Sequence, residues 1–369
     1  MVMLLVKLLN ILKKKWKSCN ILSKKVNIYY AGFTHRGGGA YHHTLNLSKG
    51  LTELGYEVKI ITLDALPLIL RYFPHLVQKI GNILKFPLGY LYKQKVIKYY
   101  YKFFFKNTSD IDIFEDIYTY WKSDTKSIVV LHALWSDNLQ AYNVNSKQRI
   151  LLEINECKVM NKIESNVITV SIPYKDFLLA RLNPLGLNKE INVVKLGIDI
   201  SCFSSYDNNN KSIIFVGSLE ERKNIKFLLK VFMRLQLSGS YTLTLVGDGP
   251  QKKELISYIN RHNIENVTFL GRLNYEEVIH ELTKHQYYMH TSIKESFSYS
   301  LLEAKLSGLT TIAYSGLEVP NEFIDIKVEK FKVAIWFEKI DNYNRVETNF
   351  DKNKFSYQIM TKNTLERIK

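Results

Sequence analysis

Two glutamates, Glu295 and Glu303, stand eight residues apart in the stretch TSIKESFSYSLLEAKLSG, residues 291–308. The first follows an apolar run that reads as a strand. The second falls on the second turn of a helix that starts near Phe297 or Ser298. The opening turn of a helix carries backbone N–H groups without helical partners and a positive end, so the N–H groups of Phe297, Ser298 and Tyr299 suit a pyrophosphate. Glu303, reaching back along the same side, can accept hydrogen bonds from both hydroxyls of a ribose. Glu295, in the loop ahead of the helix, would face the other end of such a ligand. Taken alone, the spacing fits an amphipathic surface helix equally well.

Other residues offer chemistry more weakly. The turn Arg36-Gly37-Gly38-Gly39 joins a strand to a helix, and Gly38 and Gly39 open that helix with further positive potential. His42 and His43 follow in its first turn, and one of them is expected to face the ligand. His132 ends a strand, where a histidine satisfied by backbone is the plain alternative. Asp110-Ile111-Asp112 has the look of a metal-binding pair, but it begins a strand, and ligands gather at the carboxyl ends of strands. No metal site is therefore expected. Cys19, Cys157 and Cys202 form neither a disulfide framework nor a ligand spacing, which points to a reducing compartment.

The elements that must position these residues alternate strand and helix. A strand at 26–31, the glycine turn, a helix at 40–54 stopped by Gly55, and a strand at 57–63 make a βαβ unit. Strands recur at 111–118, 127–132, 167–171 and 191–196. After a polar linker at 204–211, a second series follows: strands at 212–216, 241–246, 267–270, 287–290 and 310–313, separated by helices at 226–236, 252–262, 275–282 and 298–307. The expected fold is α/β, two Rossmann-like, doubly wound parallel-sheet domains facing a cleft. The boundaries read as 1–25 for an N-terminal amphipathic basic helix, 26–203 for the first domain, 204–355 for the second, and 356–369 for a helix crossing back.

Composition speaks to partners. Among 369 residues, Lys and Arg exceed Asp and Glu by 16, which calls for an anionic partner. No nucleic-acid motif accompanies the charge, so an anionic membrane surface is preferred and nucleic acid is not expected. Residues 1–20 wind into a helix with Leu4, Leu5, Leu8, Leu12 and Trp16 on one side and most lysines on the other, the pattern of an interfacial helix rather than a signal peptide. Residues 66–106 carry eight basic side chains and no acid, with aromatics crowded among them, which suits lipid headgroups. A helical hairpin with its aromatics in the core is the alternative.

The segment holding Glu295 and Glu303 resembles the signature of glycosyltransferase family four, retaining enzymes of GT-B fold. Further pieces resemble that family in the right order: Phe215-Val216-Gly217-Ser218-Leu219-Glu220-Glu221-Arg222-Lys223-Asn224, Val246-Gly247-Asp248-Gly249-Pro250, the run VTFLGRL over residues 267–273, and Val194-Lys195-Leu196-Gly197-Ile198-Asp199 ahead of the linker. The resemblance spans about residues 26–325. It implies that Lys223 holds a diphosphate, that the loop bearing Arg272 frames the base, and that His132 faces the donor sugar, with Glu295 and His132 as the catalytic residues. Ser218 stands where many members have Arg, and Arg222 is the expected substitute. Asn224 and Ser298 stand at positions often occupied by Gly.

The resemblance therefore implies a metal-independent, retaining transfer from a nucleotide sugar, UDP-sugar before GDP-mannose, to a lipid-linked, oligosaccharide or polysaccharide acceptor. No cofactor is needed beyond the donor. The Lys-, Asn-, Ile- and Tyr-rich composition is similar to that of bacterial surface-polysaccharide proteins, and the expected location is cytoplasmic, on the inner face of the cell membrane. Two other functions compete. A non-catalytic GT-B glycan-binding or scaffold subunit draws on Ser218. A nicotinamide-dependent oxidoreductase draws on Gly37-x-Gly39 and Asp64, but puts His42 where its third glycine belongs.

Overall fold

The computed structural model describes residues 23–36, 38–85, 89–139, 146–204, 210–344 and 350–368. The N-terminal helix expected over residues 1–25 falls almost wholly outside the described residues, as do Gly37 and most of the linker.

Two parallel sheets organise the chain. The first contains β1 (Lys25–Tyr29), β2 (Glu57–Ile61), β3 (Ile111–Phe114), β4 (Lys126–Leu131), β5 (Asn166–Thr169) and β6 (Ile191–Val193), in the order β2-β1-β3-β4-β5-β6. The second contains β7 (Ser212–Val216), β8 (Thr242–Val246), β9 (Val267–Gly271), β10 (Tyr287–His290), β11 (Thr310–Tyr314) and β12 (Ile326–Val328), in the order β12-β11-β10-β7-β8-β9. Strands covered on both faces have no polar side to alternate with, so they read as apolar runs. In β4, KSIVVL, every residue after Lys126 is buried, and all of β10 is buried.

Helices complete the units. In the first half they are α1 (Gly39–Glu53), α2 (Leu68–Lys85), α3 (Gly89–Phe105), α4 (Trp135–Leu139), α5 (Ser146–Asn161) and α6 (Ile172–Leu182). In the second they are α7 (Ile225–Gln236), α8 (Lys252–Arg261), α9 (Tyr275–Leu282), α10 (Tyr299–Leu306), α11 (Val333–Asp341) and α12 (Tyr357–Glu366). The basic-aromatic stretch is a hairpin of α2 on α3. Its aromatics divide: Tyr101 is fully buried, whereas Tyr99 and Phe103 are exposed.

Two differences from the sequence reading have local causes. The strand expected over 111–118 stops at Phe114, because Asp116 turns the chain: its Oδ1 accepts from the N–H groups of Tyr118 and Thr119 at 2.7 Å each. Between Asp325 and the helix expected at 356–369 the sequence showed no periodic element, yet β12 and α11 lie there. Three residues are too few for a visible alternation, and α11 is fixed from outside by Trp336 and Ile340 packing toward α7.

The two halves share one continuous apolar core, running from the first sheet through Phe297, Tyr299 and Leu302 to Phe323 and Phe355. The chain crosses back at its end. Ile198 and Ser356 form a parallel bridge, Ile198 N–H donates to Phe355 O at 2.8 Å, and α12 then lies on α1. Tyr357 Oη donates to Glu53 at 2.5 Å. The helices approach closely because Gly50 has no side chain: a Cβ there would lie 2.1 Å from Thr361 Oγ1. Alanine in a helix interior normally gains about 1 kcal/mol over glycine, but the forced displacement here costs about 1–3 kcal/mol. Gly50→Ala is therefore expected to lower the unfolding free energy in urea despite its better helix propensity. An increase in stability would show that α12 does not pack this tightly on α1.

Candidate functional site

The carboxyl ends of both sheets meet. A Cβ on Gly39, at the start of α1, would lie 3.5 Å from the Tyr299 ring at the start of α10, so two helix N-termini abut. Ser171, just past β5, donates to Ser296 O at 2.9 Å and to Glu318 O at 3.0 Å. The His42 ring lies 5.6 Å from Tyr275 and 6.1 Å from Tyr299.

On the second sheet, a loop after β10 delivers Glu295 and a single 3-10 turn after β7 delivers Arg222 and Lys223. One oxygen, Glu295 Oε1, lies 2.5 Å from Lys223 Nζ, 3.3 Å from Arg222 Nη1 and 3.3 Å from His290 Nε2. Burial would raise the Glu295 pKa, but Lys223, His290 and Arg222 outweigh it and hold the carboxyl well below its ordinary range. Arg222 also donates to Lys294 O at 3.1 Å and to Glu220 at 2.9 Å. Ser218 donates to the same Glu220 oxygen at 2.9 Å, so it takes part in fixing Arg222 through Glu220.

Two backbone conformations shape this corner. Asn224 has φ 53° and Ser298 φ 68°. Positive φ is cheap only for Gly, tolerable for Asn and strained for Ser, which is the physical reason glycine suits both positions. Ser298 caps α10, its Oγ accepting from Leu301 N–H at 3.4 Å. The Phe297 side chain is 2% exposed and packs on Tyr299, Phe323 and Phe355, so what it can offer a ligand is its backbone N–H. Tyr299 donates from its hydroxyl to Gly197 O at 3.4 Å and braces the crossing between the halves. Arg272 is exposed directly after β9.

Glu303 is 6% exposed. Among the described residues, none hydrogen-bonds or ion-pairs with its carboxylate, and burial pushes its pKa up to about 7. A buried polar group without a partner calls for an explanation outside the folded chain itself, and a ligand supplies one.

On the first sheet, His132 follows β4, and Glu115 follows β3. Glu115 Oε2 lies 2.6 Å from His132 Nε2 and 2.9 Å from His43 Nδ1. The sequence reading singled out both histidines and missed Glu115. The sequence places Glu115 inside the strand expected over 111–118, and only the end of β3 at Phe114 puts it at a strand's carboxyl end. These three side chains bring donor atoms within 4.8 Å of one another, a set that could hold a metal ion, though the same atoms already satisfy each other as hydrogen-bond partners. Asp112 is committed elsewhere: its carboxylate accepts from Ser109 at 2.6 Å, Thr125 at 2.8 Å, Ser123 at 2.9 Å and Tyr29 at 3.2 Å. Asp110 accepts from Lys25 N–H at 2.7 Å. Asp64, the acid an oxidoreductase would turn to a ribose, instead accepts from Thr34 N–H at 2.9 Å.

Comparison with known proteins bears on the fold. Residues 203–335 match the family model described as Glycosyl transferases group 1. An uncharacterized glycosyltransferase of Methanocaldococcus jannaschii is 25% identical over 175 residues, covering 44% of each chain. The chain thus spans under half the length of that relative. Sucrose-phosphate synthase of Thermosynechococcus elongatus superposes with a TM-score of 0.65 at 15% identity, covering 93% of this chain and 94% of that one. HepE of Anabaena, solved with UDP and glucose, gives 0.59 at 16% identity, covering 93% and 95%. The fold is GT-B.

The state of Glu303 has a thermodynamic consequence. Its folded pKa, about 7, lies above the value near 4.3 of an unfolded chain. The stability it contributes is thus fully present below about pH 4 and is lost as pH rises through 7, where the ionised carboxylate costs the fold up to about 4 kcal/mol. Glu303→Gln removes that cost. Denaturant unfolding should show the variant more stable than the parent at pH 8 and nearly equal to it at pH 4. A variant equally destabilised at both values would mean that Glu303 is an ordinary structural group.

Proposed function

We propose that this chain is a retaining glycosyltransferase that moves a sugar from a nucleoside-diphosphate donor to a lipid-linked or polysaccharide acceptor at an anionic membrane surface. The observation that carries this reading is the arrangement along one edge of the second sheet. Lys223 and Arg222 converge on Glu295, the N-terminus of α10 opens beside them, and the unpartnered Glu303 lies inside that helix. Diphosphate, sugar and ribose each have a matching group. Lys223, Arg222 and the N–H groups of Phe297, Ser298 and Tyr299 neutralise the diphosphate, helped by the N-terminus of α1 at Gly38 and Gly39. Glu303 accepts from the ribose hydroxyls. The loop at Arg272 frames the base. Glu295 and His132 approach the sugar from opposite sides. The likeness to HepE, a structure holding UDP and glucose, supports UDP-sugar ahead of GDP-mannose.

The transfer proposed for such a site uses the donor's own phosphate as base. As the bond from the anomeric carbon to the phosphate oxygen breaks, the nucleoside diphosphate departs with the bonding pair. The acceptor hydroxyl attacks the same face and gives its proton to the departing phosphate oxygen, so the anomeric configuration is kept. Protein cations balance the leaving charge, so no divalent metal is required.

Support for a membrane-surface acceptor comes from α2. Its Ile69 is 89% exposed, Ile83 83% and Leu84 74%, with Tyr72 and Leu76 exposed between them. The surrounding stretch 66–106 has eight basic residues and no acid. An apolar helix face bordered by lysines suits the interface of an anionic bilayer. Among the described residues, no helix is long and apolar enough to cross a membrane.

Screening nucleotide sugars by thermal shift tests the donor assignment, since a ligand of the folded state raises Tm. A UDP-sugar should raise Tm, and turnover should persist in EDTA with the anomeric configuration kept in the product linkage. Turnover abolished by EDTA and restored by Mn²⁺, or an inverted product, would defeat the mechanism. Glu295→Gln should reduce kcat while leaving affinity for the free nucleoside diphosphate nearly intact; equal loss of both would make Glu295 structural. The intact protein should bind anionic vesicles less as salt rises, because exposed charges are screened beyond about 8–10 Å. Replacing Ile69, Ile83 and Leu84 by Ser should weaken that binding, and vesicle binding unaltered by salt and by these substitutions would contradict the docking face.

A further inference from the structure

We infer that Glu115 is a positioning residue that holds His43 and His132 in opposite tautomers, so that His132 meets the ligand of the cleft as a hydrogen-bond acceptor through Nδ1. The part of this statement that concerns the ligand rests on the proposed glycosyl transfer; the part that concerns the tautomers does not.

The geometry is that of one carboxylate serving two rings. Glu115 sits one residue past β3, and its side chain is 1% exposed. His132 sits one residue past the neighbouring parallel strand β4, and His43 lies in the first turns of α1. Glu115 Oε2 lies 2.6 Å from His132 Nε2, and it lies 2.9 Å from His43 Nδ1, with Oε1 3.2 Å from the same nitrogen. The two rings stand edge to face with centroids 4.8 Å apart.

An ionised carboxylate only accepts hydrogen bonds, so both short contacts must be N–H donations. Burial works against that ionisation, but the charges and hydrogen bonds of His43 and His132 prevail and bring the Glu115 pKa down to about 2. For His132 the balance runs the other way: burial pushes its pKa below the ordinary histidine value, although Glu115 pulls it up. A neutral imidazole has a single N–H. In His132 the carboxylate takes it at Nε2, which leaves the lone pair at Nδ1. In His43 the carboxylate contacts Nδ1, so Nδ1 is the nitrogen that donates. The same acid thus selects opposite tautomers in two rings because it meets opposite nitrogens.

Exposure decides which ring reads the ligand. The His132 side chain is 14% exposed, and that of His43 is 1%. His132 can therefore receive a hydrogen bond from a hydroxyl, such as one on a transferred sugar or its acceptor, while its own proton is already committed to Glu115. It is poorly suited to protonate a leaving group.

Long-range ¹H–¹⁵N correlation spectra of the full chain labelled at histidine, at pH 7.5, test the tautomers without any substrate. His132→Gln and His43→Gln serve for assignment. The expected spectrum shows His132 protonated at Nε2 and His43 at Nδ1. Protonation of His132 at Nδ1, or at both nitrogens, would overturn the inference. Glu115→Leu supplies a second reading, because it removes the acceptor that both rings face. One of the two rings is expected to switch tautomer, and kcat is expected to fall ~10²-fold or more with a smaller change in donor KM, as when a histidine is held in the wrong tautomer. Unchanged tautomers in a folded Glu115→Leu protein would also overturn it. If the tautomers are as stated but no nucleotide sugar binds or turns over, the positioning role stands and the glycosyltransferase reading falls.

Discussion

A parallel sheet delivers all of its strand carboxyl ends, and the N-termini of the helices that follow, to one edge, and this chain sets two such edges against each other. Everything at the candidate site depends on that opposition. Gly39 can reach Tyr299 and Ser171 can reach Ser296 only because the second sheet is turned back toward the first. The turn is held from behind by the last helix, which returns to α1 across Gly50 and is tied to Ile198 at the crossing. Helix N-termini from both halves therefore point into one region. Their combined positive ends, with Lys223 and Arg222, make that region suited to a phosphorylated ligand before any side chain is considered for specificity.

The same region is where the chain departs from the choices that would make it most stable. Ser298 adopts a positive φ at the head of α10, Glu303 is buried without a partner, and three cationic or potentially cationic groups crowd a single oxygen of Glu295. Although Glu156 Oε2 and Glu318 Oε2 are also buried without a hydrogen-bond partner among the described residues, some buried charge elsewhere is well answered. Arg181, for example, is bound by Asp137 and by Glu153, the latter at 2.7 Å, and Asp112 has four hydroxyl donors. What distinguishes Glu303 is that it is left unanswered beside the N-terminus of α10 and the cations Lys223 and Arg222, where a ligand can complete it.

How much of this was legible in the sequence depended on where the partners of each residue come from. The second half was readable almost element by element, since its strands are buried apolar runs, its helices are amphipathic, and the residues around Glu295 and Glu303 lie within one short stretch. The conformational demand behind Asn224 and Ser298 needed backbone angles, and the core packing of the Phe297 ring needed the tertiary structure. Glu115 was invisible for the same reason: its partners come from α1 and from the end of β4, 72 and 17 residues away. In the hairpin of α2 and α3, sequence pattern could not tell core aromatics from exposed ones, because large apolar residues occur on both faces and only packing decides which are covered.

The central claim is that the second sheet's edge holds a nucleoside diphosphate with its ribose on Glu303. Calorimetric titration of UDP and of 2′,3′-dideoxy-UDP into the parent protein and into Glu303→Ala isolates that contact as a double-mutant cycle. Hydrogen bonds to a charged group are worth about 1.5–3 kcal/mol. The parent should accordingly bind UDP roughly 10- to 150-fold more tightly than the dideoxy analogue, and the variant should bind the two nearly alike. Equal discrimination by both proteins would put the ribose elsewhere, and failure of the parent to bind UDP or any other nucleoside diphosphate would contradict the account as a whole.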